Sequence, residues 1–249
     1  LARQAVRESL VLLKNENNIL PLKKNTKIAL VGPLANNRVN MVGTWTVAAD
    51  FEKSVSIFDG LAEAMGSANL IHYAKGANIS GDASFEERAT MFGKPAGRDN
   101  RPESEMIAEA VNAAQLSDVV VAVVGEAAEM SGESSSRSDI GIPENQQELL
   151  KALLKTGKPV VMVLLTGRPL ALKWESENIP AILNIWFGGS ETGHAVADVL
   201  FGDENPSGKL TTTFPQNIGQ IPLFYNHKNT GRPLPDGQWF TKFRSNYLD

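Results

Sequence analysis

The sequence predicts an α/β fold, a mostly parallel six-stranded sheet with helices on both faces. Three observations predict it. Short apolar runs alternate with amphipathic stretches, the pattern of βαβ units. Residues 119–124, VVVAVV, carry no polar alternation, as expected of a parallel strand buried on both sides. A polar segment, residues 125–143, follows that run directly. Unstructured loops above roughly 12–15 residues are uncommon in compact domains and are usually functional. In open α/β sheets, ligands bind beyond the carboxyl ends of the strands.

Each element has its own warrant. Residues 2–14 read as a first helix, stopped by Asn15-Glu16-Asn17-Asn18. Residues 27–31, KIALV, are a short buried strand ending at Gly32-Pro33. Residues 56–65 read as a helix and 69–74 as a strand. A polar excursion rich in Gly and Asp fills 76–101, with one helical piece near 85–92. Pro102-Glu103 opens a helix to about Leu116, since proline suits the first turn and acidic groups suit its N-terminus. Residues 144–155 put Leu149, Leu150, Leu153 and Leu154 on one stripe and close at Gly157. Strands follow at 160–165 and 181–186, then a helix at 190–201. A last strand at 209–214 belongs at an edge, because Pro206 and Pro215 bracket it.

Composition bounds the function. The chain has 249 residues, 42 % hydrophobic and 21 % charged, which suits one large globular domain or two small ones. The division expected is an α/β domain at 1–215 and an extended tail or linker at 216–249, where six prolines and glycines fall between Gly219 and Gly237. Net charge is −4 and no basic run appears, so nucleic acid is not an expected partner. No apolar stretch approaches the roughly 18 residues that span a membrane, so no membrane partner is expected. Cysteine is absent and says nothing about redox compartment. The chain starts at Leu1 inside a helical pattern and stops at Asp249 after an aromatic, basic stretch, and it reads as a piece of a longer protein.

The chemistry concentrates in the long loop. Glu126, Glu129 and Glu133 precede Arg137, and a loop carboxylate at this edge is a candidate proton donor. Solvated loop charges are the bland alternative. Glu133 stands out because it follows Gly132 in a Ser-rich stretch that lets the backbone approach a ligand. Arg137 is placed to hold the loop or to contact a substrate. Trp45, in VGTWT, is either a packed tryptophan or a stacking platform for a sugar ring. Arg168, in Thr166-Gly167-Arg168-Pro169, reads as a buried structural arginine in preference to a loop contact. KIALVGPLANN holds only Gly32, without the further glycines that a pyrophosphate needs, which argues against nucleotide binding. His72, His194 and His227 have no metal-ligand spacing, and no Gly-x-Ser-x-Gly elbow appears. No cofactor or metal is expected.

Several segments together resemble glycoside hydrolase family 3, in the C-terminal α/β sandwich domain of bacterial periplasmic β-glucosidases. They include VRESLVLLKNENNILPL (6–22), KIALVGPLAN (27–36), VGTW (42–45), YAKGANI (73–79) and SDVVVAVVGEA (117–127). ESSSRSDIGIP (133–143), TGRPLAL (166–172), VLFGDENPSGKL (199–210) and HKNTGRP (227–233) complete the set, in order through nearly the whole chain. The fold implied is a flavodoxin-like α/β sandwich. The activity implied is that of a retaining exo-acting β-glucosidase on a β-linked oligosaccharide or glucoside. The nucleophile implied is an aspartate on an upstream (β/α)8 barrel, a partner this chain lacks, and a fibronectin-type domain commonly follows. The acid/base glutamate matches Glu133, with Glu126 and Glu129 as substitutes, and the sugar-stacking tryptophan matches Trp45. Arg137 is a further candidate for binding substrate. A retaining glycosidase needs two carboxyl groups about 5–5.5 Å apart, which a cleft between two domains can supply. The resemblance implies a periplasmic location. Alternatives are a β-xylosidase or β-N-acetylglucosaminidase of the same family, or a non-catalytic α/β sugar-binding module.

Overall fold

A computed structural model describes residues 1–84, 97–133 and 135–226. The chain begins with α1 (Ala2–Ser9), β1 (Val11–Asn15), β2 (Ile28–Val31), α2 (Ile57–Ala64) and β3 (Ile71–Ala74). It continues with α3 (Glu103–Gln115), β4 (Val119–Gly125), α4 (Glu144–Leu154) and β5 (Val160–Leu165). The remaining elements are α5 (Lys173–Asn178), β6 (Ala181–Asn184) and α6 (Thr192–Phe201). The six strands form one sheet in the order β1-β6-β5-β4-β2-β3, all parallel except β1, which runs antiparallel to β6.

Alternating strand residues bury two separate cores, as the period of two requires. Ile28, Leu30, Val121 and Val163 face one core with Val6, Leu61 and Val196, from α1, α2 and α6. Ala29, Val120, Val124 and Met162 face the other, with Ala110, Leu149 and Leu153 from α3 and α4. Every residue of β4 and β5 is buried, which is why both read as unbroken apolar runs. Ser56 caps α2 reciprocally with Asp59: Asp59 N donates to Ser56 Oγ at 3.1 Å, and Ser56 N to Asp59 Oδ2 at 3.4 Å. Gly202, at φ 75°, closes α6 in the left-handed conformation.

The predicted fold class holds, with two exchanges of element. Residues 2–14 are not one helix: α1 ends at Ser9 and the chain becomes β1. The run Leu10 to Leu13 is compatible with either state by periodicity, and β6 decides it by supplying a ladder from Val11↔Asn184 to Asn15↔Ala181. Conversely, 209–214 is not a strand. The edge beyond β6 belongs to β1, and Phe214 instead lays its ring 6.0 Å from that of Trp186. The strand expected at 181–186 stops at Asn184, because Trp186 adopts φ 51°, outside the extended region. The structure adds the short helix α5 between β5 and β6. The helical piece expected at 85–92 and the motif at 227–233 lie outside the described residues. Of the tail expected at 216–249, the described part holds one 3-10 turn, Ile218–Gln220.

From β2 the chain crosses to β3 through α2 on one face, and from β3 back past β2 to β4 through α3 on the other. The winding therefore reverses between β2 and β4. That reversal opens a crevice at the carboxyl ends of those two strands. The segments 32–56 and 126–143 leave there, carrying Trp45 and Glu133.

Candidate active-site loops

The two loops are stitched together although their sequences lie far apart. Asn40, fully buried, accepts a hydrogen bond at Oδ1 from Ala128 N at 2.8 Å. The Thr44 hydroxyl reaches the Ala128 carbonyl and, at 2.6 Å, the Ser131 carbonyl. A Cβ on Gly132 would stand 2.6 Å from Thr44 Cγ2, and the residue has φ +119°. Glycine is required there both for space and for backbone conformation. Trp45 and Glu133 are thus the next residues after two that touch, Thr44 and Gly132. Trp45 is 70 % exposed and Val47 86 % exposed, so neither packs into this domain's own core. Glu133 is exposed and has no hydrogen-bond or ion-pair partner among the described residues.

The other two glutamates are in different surroundings. Glu126 is fully buried. Its Oε1 accepts from Arg137 Nη1 at 2.8 Å and lies 3.1 Å from Arg168 Nε. Its Oε2 accepts from Thr166 Oγ1 at 2.8 Å. Glu129 is half-buried, and its carbonyl accepts from Ser135 Oγ at 2.9 Å. Arg137 also donates from Nη2 to the Gly141 carbonyl at 3.0 Å, and Arg168 donates to the Met130 carbonyl. Both arginines therefore hold the loop. Arg137 keeps about a fifth of its side chain exposed.

The remaining titratable candidates lie elsewhere. His72 Nδ1 pairs with Ser117 Oγ at 2.9 Å. His194 is held between Glu191, at 2.7 Å, and Glu63, at 3.0 Å. Burial pulls the His194 pKa down, but these two carboxylates outweigh it and the net shift is upward. Among the described residues no cluster of His, Cys, Asp and Glu has the arrangement of a metal site. Sequence reasoning missed Asn40, Thr44 and Gln146, whose side chains bind backbone. Gln146 accepts from Gly125 N at 2.8 Å and donates to Gly125 O at 3.0 Å. No spacing rule marks such residues, since their partners are backbone groups brought up by the fold.

The doubly wound α/β domain carries a carboxylate loop and an exposed tryptophan at its switch point, and comparison with known proteins gives its class. Residues 10–247 match the profile of the glycosyl hydrolase family 3 C-terminal domain, and the chain belongs to that family. It is 49 % identical over 248 residues to a periplasmic beta-glucosidase of Salmonella typhimurium, spanning 100 % of this chain and 32 % of that protein. It is 40 % identical over 230 residues to a beta-xylosidase of Formosa agariphila, spanning 90 % of this chain and 29 % of that protein. The crystal structure of beta-glucosidase from Listeria innocua in complex with isofagomine superposes with a TM-score of 0.83 at 38 % identity, over 99 % of this chain and 31 % of that one. The chain thus spans about a third of the length of these relatives, and in them this domain is part of a glycoside hydrolase.

Proposed function

We propose that this chain is the acid/base-bearing domain of a retaining, exo-acting β-glucosidase that removes terminal β-D-glucosyl residues in the periplasm. Residues 1–215 form the domain, and 216–249 lead towards a following one. Glu133 is the acid/base, Trp45 stacks on the sugar, and the nucleophile comes from a (β/α)8 barrel. Arg137 lines the approach to the sugar while it holds the loop. The observation that carries the reading is the contrast between two glutamates of one loop. Glu126 is buried, with both carboxylate oxygens engaged, whereas Glu133 is exposed beside the Trp45 loop. A general acid must come within hydrogen-bond reach of the leaving oxygen, which an exposed carboxylate can do and one buried with both oxygens already engaged cannot.

The test uses the complete gene product that carries this domain. Glu133→Ala should slow cellobiose hydrolysis by about 10²–10⁴-fold, the usual worth of general acid–base assistance. Glycosyl-enzyme formation from dinitrophenyl β-glucoside should suffer much less, since that leaving group needs no proton. Azide should restore turnover and yield β-glucosyl azide. Rescue of Glu129→Ala and not of Glu133→Ala would move the assignment to Glu129. The beta-xylosidase relative at 40 % identity supports a second reading, a β-xylosidase. Turnover of nitrophenyl β-xyloside above that of the β-glucoside would favour it.

A further inference from the structure

We infer that Glu126, which touches no reacting atom, is the positioning residue that sets the geometry of Glu133; the inference rests on the acid/base reading of Glu133 given above. Two separate segments converge on its carboxylate, and a third ties its backbone. The loop leaves β4 at Gly125, whose φ is +130° and where a Cβ would stand 2.0 Å from the Leu165 carbonyl. Glu126 N then donates to that same carbonyl at 2.8 Å, so the near limb is tied to the end of β5. Arg137 on the far limb, eleven positions along, returns to Glu126 Oε1 and closes a span that contains Glu133. Arg168, from the segment between β5 and α5, meets the same oxygen and also holds the Met130 carbonyl inside the span. Thr166 occupies Oε2.

The arrangement suits orientation rather than proton donation. A buried carboxylate with both oxygens engaged is costly to disturb, and its partners fix direction as well as distance. Proton transfer to a leaving oxygen works only over about 2.6–3.2 Å. Misplacement of a catalytic group by about 1 Å costs up to about 10²-fold. Glu133 has no partner of its own among the described residues, so its placement depends on the limbs of its loop, and those limbs are joined at Glu126.

The experiment compares leaving groups in the complete gene product. Glu126→Gln keeps the shape and removes the charge. It should lower kcat/KM for cellobiose by about tenfold or more, while the burst rate of glycosyl-enzyme formation from dinitrophenyl β-glucoside changes less than about twofold. In a Glu133→Ala background, adding Glu126→Gln should change cellobiose turnover no further, because the group being positioned is gone. Thr166→Val and Arg168→Lys leave the ion pair charge-balanced and guard against a Glu126→Gln protein that does not fold. Each should show the same leaving-group dependence at smaller size. Equal losses for both leaving groups, or an effect that persists in full without Glu133, would overturn the positioning role and leave the acid/base reading intact. Formation of β-glucosyl azide by Glu126→Gln itself would overturn both. Azide rescue of Glu133→Ala together with leaving-group-dependent loss in the Glu126 series supports both.

Discussion

At Glu175 the fold holds a buried carboxylate whose ionised form burial disfavours. The residue is 1 % exposed on α5 and receives one side-chain hydrogen bond, from Gln147 Nε2 at 3.1 Å. Burial raises its pKa, and the Gln147 bond and the charge of Lys151 offset only part of that. For an acid whose folded pKa lies above its unfolded one, stability falls as pH rises through the interval and stays lower above it. Glu175→Gln should therefore raise the melting temperature at pH 7.5. A gain of about 1 kcal/mol would appear as roughly 2–4 °C in a domain of this size. The gain should shrink towards pH 4, where the wild-type group is protonated, and calorimetry at both pH values checks it. Asp198 behaves oppositely. Burial raises its pKa, but Arg3 and Arg7 outweigh that and hold it below the usual carboxylate value. Among the candidate residues, Trp45 and Glu133 stand out in their loops and in the family motif. The surroundings of Glu126 could not, because Thr166 and Arg168 lie forty residues or more along the chain.

α2 and α6 cross with their backbones close together. A Cβ on Gly60 would stand 2.1 Å from the Gly193 carbonyl, and one on Gly193 would stand 2.0 Å from that of Ser56. Both obstacles are backbone, which cannot rotate away as a side chain can. Gly193→Ala should cost about 3 kcal/mol, the upper part of the usual range for overpacking. That corresponds to a fall in melting temperature of roughly 6–12 °C. Gly81→Ala, where nothing lies within 4 Å of the added carbon, is the control and should change little. An unchanged melting temperature for Gly193→Ala would mean that the helices can separate. Helices 144–155 and 102–116 were legible to within two residues, because an apolar stripe and a proline start are local signals. The pair α1 and β1 was not, since the run from Leu10 to Leu13 has no local feature that prefers helix or strand.

On the scale of the whole molecule, both sheet faces are covered by helices of this chain, yet the site edge carries Trp45 and Val47 in solvent. The isolated chain should fold cooperatively on its own core. It should nevertheless fail to hydrolyse nitrophenyl β-glucoside, because the nucleophile is expected on the barrel. Denaturation followed by circular dichroism and by tryptophan fluorescence should give coincident transitions. Measurable turnover by the purified chain would place the nucleophile within it. Adding the separately expressed barrel should quench or shift the fluorescence of Trp45, and no change would argue against docking at this edge.

The sequence alone determined the fold class, the position of the central strands and the long polar loop that follows β4. A strand buried on both faces must be apolar at every position, and residues 119–124 and 160–165 satisfy that without reference to anything distant. Tertiary structure decided which segment becomes the antiparallel edge strand, because the ladder that makes β1 a strand is supplied by β6, some 170 residues later. It also decided which glutamate of the loop is buried and which is exposed. Glu126 and Glu133 are chemically the same group, and they differ only in the burial and the partners that distant parts of the chain bring to them.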